Sequence, residues 1–199
     1  MKLAQFAIAT ILLLSTSLAV RAESPTEAVK TTTEHVLGIL NNPSTQGDAK
    51  KAERRRLIRK EIDARFDWEE SARGCLGHNW SKRTPAEQKE FVKLFSQYLM
   101  NSYLDKYDMY YNNVESIAYK SEKIIDGYAS VKTVLSTKAK LDHPIEYRLD
   151  NTNGTWRVYD SVIEGVSMVK NYRDQFDAII QKSSYEALLK ELRSKADEP

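Results

Sequence analysis

Cys75 and His78 stand three residues apart, a spacing at which a thiolate and an imidazole can share a metal or form a nucleophile–base pair. A zinc site needs about four ligands, and the other two histidines, His35 and His143, fall in distant segments. Cys75 is the only cysteine, so the chain has no internal disulfide, and its plainest use is as a small buried hydrophobe. Asp160 and Glu164 are four apart but close a strand-like run. Capping the following helix, or pairing with Arg173, suits them better than general acid–base work. The run KKAERRRLIRKEIDAR, residues 50–65, holds eight basic and three acidic residues. It reads first as a solvated helix face with local ion pairs. Its sharper use is docking on anionic lipid head groups or an acidic partner surface through Arg54, Arg55, Arg56 and Arg59. No G-x-S-x-G, phosphate-binding glycine loop or H-E-x-x-H occurs. The expectation is a protein that is not an enzyme and uses no metal and no cofactor.

Charge and composition narrow the partners. Lys2 precedes an almost continuous apolar run, Leu3 to Leu14, and Val20 and Ala22 supply the small residues that a signal peptidase reads. Residues 1–22 are therefore expected to be a cleaved secretory leader, too short and wrongly flanked for a membrane anchor. Residues 23–199 are then one exported domain, long enough to bury a core without staples. The full chain carries a net charge of +2. Loss of Lys2 and Arg21 brings it to zero, which argues against a nucleic-acid partner.

The elements that position these residues follow from apolar periodicity. Helices are expected over 25–40, 49–66 and 68–76, and from Thr84-Pro85-Ala86-Glu87 onward, where a capping threonine, a first-turn proline and a capping-box glutamate coincide. That last helix carries Phe91, Val92, Phe95, Leu99, Tyr103 and Tyr107 at helical spacing, with Tyr98, Tyr110 and Tyr111 nearby. The period then changes. Residues 114–124, 128–137, 145–150 and 156–163 are strand-like, separated by short Asp/Asn/Gly turns, and two helices close the chain over 166–182 and 185–194. The expected fold is α+β, with helices packed on a curved four-stranded antiparallel sheet.

The stretch WRVYDSVIEGVSMVKNYRDQF, residues 156–176, holds more apolar residues than a one-faced strand and an amphipathic helix require. A close-packed core would absorb them. An apolar cavity between sheet and helices would use them too, with tyrosines at its rim.

The stretch WRVYDSVIEGVSMVKNYRDQFDAII, with RTPAEQKEFVKLFSQYL and the leader, resembles the MlaC family of periplasmic lipid-binding proteins, also known for toluene tolerance. The pattern W-x-V-Y-D-x-x-x-E-G-V-S at Trp156 to Ser167 is its most specific part, and the hopanoid-linked HpnM proteins share it. The resemblance implies a periplasmic carrier that holds a phospholipid by its acyl chains in a deep apolar cavity. It further implies transfer between an outer-membrane lipoprotein complex and an inner-membrane ABC transporter with an MCE-domain ring. Each buried methylene is worth about 0.8 kcal/mol, so a dry cavity offsets the cost of taking a lipid out of its bilayer. Two chains would call for a cavity of about 1,000 Å³ or more.

Period and position then nominate the lining: Val131, Leu135, Tyr147, Leu149, Val158 and Val162 from the strands, and Phe91, Phe95, Leu99, Tyr103, Val166 and Met168 from the helices. A charge at Val162 or Leu149 is expected to empty the cavity without unfolding the chain. The rivals are a carrier of hopanoids or other apolar ligands, a small-molecule enzyme on a similar scaffold, and a lipid-free envelope adaptor with an exposed apolar patch.

Overall fold

The computed structural model describes residues 22–110, 113–152 and 154–196, the side chains of 105–110 excepted. The leader expected over residues 1–22 falls almost wholly outside these, as do the side chains of Tyr107 and Tyr110 and all of Tyr111. Helix α1 spans Pro25–Asn41, and two 3-10 turns lead into α2, Lys51–Arg65. Then come α3, Trp68–Leu76, a further 3-10 segment, and α4, Pro85–Tyr110. Strands β1 (Val114–Ile125), β2 (Tyr128–Thr137), β3 (Asp142–Thr152) and β4 (Thr155–Ile163) form an antiparallel meander. A fifth strand, β5 (Val166–Ser167), pairs with β4, and α5 (Met168–Lys182) and α6 (Tyr185–Ala196) end the chain.

Local chemistry sets the boundaries. Thr84 and Glu87 form the expected capping box: the Glu87 carboxylate accepts from the Thr84 amide at 2.7 Å, and the Glu87 amide donates to Thr84 Oγ1 at 3.3 Å. That backbone bond holds the Glu87 carboxyl below its ordinary range. The same device starts α1 at Ser24 and Glu27.

The sheet has five strands where four are expected, and the helix expected from Val166 begins at Met168. Glu164 and Gly165 explain both differences. Their φ values of +50° and +84° make a two-residue hairpin turn. It folds Val166 back opposite Ile163 and Ser167 opposite Val162 before the helix starts.

A β-bulge at Tyr159 has a larger consequence. Arg148 pairs with Asp160, but Leu149 pairs with Val158, so Tyr159 is an extra residue. A bulge reverses the facing of every residue beyond it. Trp156 and Val158 share the helix-covered face with Leu149, and Ser161 and Ile163 then join that face beside Tyr147 and Ile145. Val162 pairs with Glu146 and turns the other way.

The described residues bury three apolar clusters. One fills the space among α3, α4, α5 and α6. A second lies between α1 and the sheet, through Ala28, Val29, Ala129, Val131, Leu149, Trp156 and Val158. A third joins α1, α2 and α4 through Val36, Leu40, Ile58, Ile62, Met100 and Leu104. Phe66 touches all three.

Candidate functional site

The signature around residues 156–167 is a joint between sheet and helices. The amide of Asp67 donates to Val158 O at 2.8 Å, and Ser71 Oγ donates to Tyr159 O at 2.6 Å, so the start of α3 covers the open edge of β4 at the bulge. Asp160 is 1% exposed. Its carboxylate accepts from the Val169 amide at 3.0 Å, from Ser167 Oγ at 2.7 Å and from Arg148 Nη1 at 3.1 Å. Ser167 also caps α5, accepting from the Lys170 amide at 3.0 Å. An acid at the positive end of a helix is favourable in itself. The capping role expected of Asp160 is thus present, while Arg173 instead donates to Gly74 O at 2.6 Å. At Gly74, α3 and α5 approach so closely that a Cβ would stand 2.8 Å from Val169 Cγ1.

This joint aims two apolar clefts. The first lies between α1, α2 and the sheet, lined by Val29, Val36, Ile62, Phe66, Tyr147 and Val158, with Thr32, Thr33 and Arg65 as its polar side. The second lies between α2, α4, the start of α5 and the far end of β3–β4. Its walls are mainly Trp68, Leu99, Met100, Tyr103, Ile145, Ile163 and Met168. Ile62, Phe66 and Tyr147 belong to both clefts and form the wall between them. The free volumes are about 50 Å³ and 100 Å³. Both are far below the expected 1,000 Å³. Phe66 stacks on Trp68 with ring centroids 4.9 Å apart, and Trp68 Nε1 donates to Asp63 Oδ1 at 2.9 Å. Burial pushes the Tyr103 hydroxyl above its ordinary pKa.

Leu99, Tyr103, Tyr147, Val158 and Met168 are brought together along the clefts. Others of the nominated lining stand elsewhere. Phe91 and Phe95 are fully buried among α4, α5 and α6, edge-on to Phe176 at 5.9 and 6.0 Å. Helical spacing shows that a face is apolar and does not show which neighbour fills it. Val131 and Leu149 are fully buried in the floor under α1, so a charge at Leu149 would unfold the chain rather than merely empty a cleft. Leu135 is half-buried on β2 outside both clefts. Val162 faces away because of the bulge, and Val166 is 61% exposed because the hairpin turn carries it outward. Val29, Val36, Ile62, Phe66, Trp68, Met100, Ile145 and Ile163 also line the clefts and stand outside the nominated set; the apolar stripes of α1 and α2 and the strand alternation are signals for Val29, Val36, Ile62, Ile145 and Ile163.

The charged and nucleophilic candidates resolve simply. Arg54 is buried and donates to Thr45 O at 2.7 Å, which corrects its expected place on a docking surface. Arg55 is half-buried, Arg56 pairs with Glu53 at 2.7 Å, and Arg59 pairs with Asp63 at 3.1 Å. Cys75 is buried, and burial raises its thiol pKa far above the ordinary range, the opposite of a reactive thiolate. His78 lies 3.7 Å from Asp177. Among the described residues, no three His, Cys, Asp or Glu side chains converge to hold a metal, and no helix is long and apolar enough to cross a membrane.

Comparison with known proteins agrees with this architecture. A family profile described as "MlaC protein" matches residues 30–194. The toluene tolerance protein ttg2D of Pseudomonas putida is 28% identical, over 83% of this chain and 77% of its own. The intermembrane phospholipid transport system binding protein MlaC of Haemophilus influenzae is 26% identical, over 73% and 69%. A phospholipid-binding protein from Ralstonia solanacearum, solved in complex with a phospholipid, superposes with a TM-score of 0.74 at 24% identity, covering 88% of this chain and 96% of that one.

Proposed function

The chain belongs to the MlaC family, and on that premise we propose that it is a periplasmic phospholipid carrier. A leader over residues 1–22 directs export, and residues 23–199 form a single carrier domain. The acyl chains enter the two clefts and the head group stays at the rim. No covalent step is involved. The carrier exchanges lipid with an outer-membrane lipoprotein complex and an inner-membrane MCE-domain ABC transporter.

One observation carries this reading: two apolar clefts meet at a wall of three side chains, Ile62, Phe66 and Tyr147, between the helices and the inner sheet face. A swing of the Phe66 and Tyr147 rings joins the clefts without breaking the fold, because backbone bonds hold the chain at Phe66 and Asp67. The Phe66 amide donates to Ile62 O, and the Asp67 amide to Val158 O, both at 2.8 Å. The proteins named above as phospholipid binders or transporters support the choice of ligand.

The test is lipid uptake from phosphatidylglycerol–phosphatidylethanolamine vesicles, with carrier and vesicles separated before lipid is quantified. The wild-type chain is expected to leave with phospholipid. Ile163→Glu, at a cleft position 40% exposed, is expected to fold and leave without it. Val162→Gln, one residue away on the opposite face, is expected to behave as wild type. Equal uptake by Ile163→Glu and wild type would refute the cleft assignment. An empty, folded wild type would favour the lipid-free adaptor, and selective uptake of a hopanoid would change the lipid class.

A further inference from the structure

The first cleft is apolar except on one side, where Arg65 stands with Thr32 and Thr33. Arg65 ends α2, and its side chain is 14% exposed. Two of its contacts are structural. Nε donates to Thr32 Oγ1 at 3.0 Å and Nη1 to Trp156 O at 2.9 Å, which ties α2 to α1 and to β4. The remaining fork is different. Nη1 and Nη2 grip the two carboxylate oxygens of Glu23 at 3.0 and 3.1 Å. Glu23 precedes the Ser24 cap of α1 and so lies outside both helices. Its carboxylate is 38% exposed and can leave into water.

A guanidinium fork binds a carboxylate and a phosphate in the same bidentate manner. Here it stands fixed by two neutral acceptors beside an apolar cleft, with its outer donors held by an exchangeable anion. We propose that Arg65 is the site for the phosphodiester of a lipid head group, and that the Glu23 carboxylate is the occupant this phosphate displaces. The assignment rests on the carrier reading and deepens it. Head-group selection in the first cleft is a competition between two anions for one fork, so a lipid without a phosphate cannot displace Glu23.

The experiment uses two probes with identical chains, dioleoyl phosphatidylglycerol and dioleoylglycerol, each presented in otherwise neutral vesicles. Inorganic phosphate serves as a third probe. Arg65→Gln is expected to lower the ratio of phosphatidylglycerol to dioleoylglycerol uptake about tenfold, the equivalent of one charge-assisted hydrogen bond. Glu23→Gln is expected to strengthen phosphatidylglycerol uptake about threefold, without effect on dioleoylglycerol. A cooperative urea melt shows that Arg65→Gln still folds; should it not fold, the Glu23→Gln result decides alone. If both lipids enter the wild type and neither substitution alters their ratio, this site is refuted while the carrier reading stands. If neither lipid enters the wild type, both fail. Saturable binding of inorganic phosphate that tracks the two substitutions, with no change in lipid ratio, would assign the fork to a free anion and overturn the head-group role.

Discussion

The α3–α6 cluster and the α1–α2–sheet region are built from the same kinds of side chain and end in opposite states. In the first, Phe91, Phe95, Tyr172, Phe176 and Tyr185 interlock at ring separations of 5.5 to 6.4 Å, in edge-on, stacked and tilted pairs, and all five are buried. In the second, Phe66, Tyr147, Ile62 and Ile163 meet across two clefts. The difference lies in the partners. Helices can settle against one another until ridges fill grooves. The far end of β3–β4 is held by its own hydrogen bonds and by the joint at Asp160, so it does not follow the helices inward. In the proposed reading the closed cluster serves as a frame, and the unfilled space beside the sheet takes the ligand.

This contrast can be broken experimentally. Phe95→Ala should show the largest effect, costing about 3–5 kcal/mol in a urea melt, because it opens a void in a filled interior. A small cost would mean that the helical cluster is not the frame. Asp160→Asn attacks the joint. It weakens the anchor of α5 and removes the charge opposite Arg148, and a loss of about 2 kcal/mol is expected. Lipid uptake should fall too, because the wall carrying Met168 shifts; full uptake would separate the joint from the clefts. Phe66→Ala should cost only about 1–2 kcal/mol, since Phe66 borders existing free space, and should raise lipid uptake by removing the wall between the clefts. A cost equal to that of Phe95→Ala, with no change in uptake, would place Phe66 in an ordinary core.

The smallest effect is expected at Asp150, beside Leu149 on β3. Its Oδ1 is buried without a hydrogen-bond partner, and burial, followed by the nearby Asp67, raises its carboxyl pKa. A carboxyl with a raised native pKa destabilises the fold in its charged form. The cost is therefore full above that native value and disappears as pH falls from it toward the unfolded value of about 3.9. Asp150→Asn should raise the melting temperature slightly at pH 7 and leave it unchanged near pH 3. A drop at pH 7 would show that the charge is compensated.

Much of the fold was legible in the sequence because its signals were local. The capping box at Thr84–Glu87, the helix from Trp68 to Leu76 and the strand from Tyr128 to Thr137 stand where periodicity and turn residues place them. The clefts were only half legible. One extra residue at Tyr159 put Val162 on the face away from the clefts and Ile163 on the cleft face, and a bulge leaves no mark in an alternating apolar pattern. The turn at Glu164-Gly165 carried Val166 into solvent. Phe91 and Phe95 have the same spacing as Leu99 and Tyr103, but the first pair meets other helices and the second pair meets the second cleft. Periodicity names the apolar face of an element, and only the fold names its partner.

The most direct measurement is native mass spectrometry of the chain, purified without added lipid, paired with solvent extraction of the same sample. The account expects ions heavier than the bare protein by the mass of a phospholipid, and that same phospholipid in the extract. A single unliganded mass together with an extract free of lipid, from protein that melts cooperatively, would contradict it.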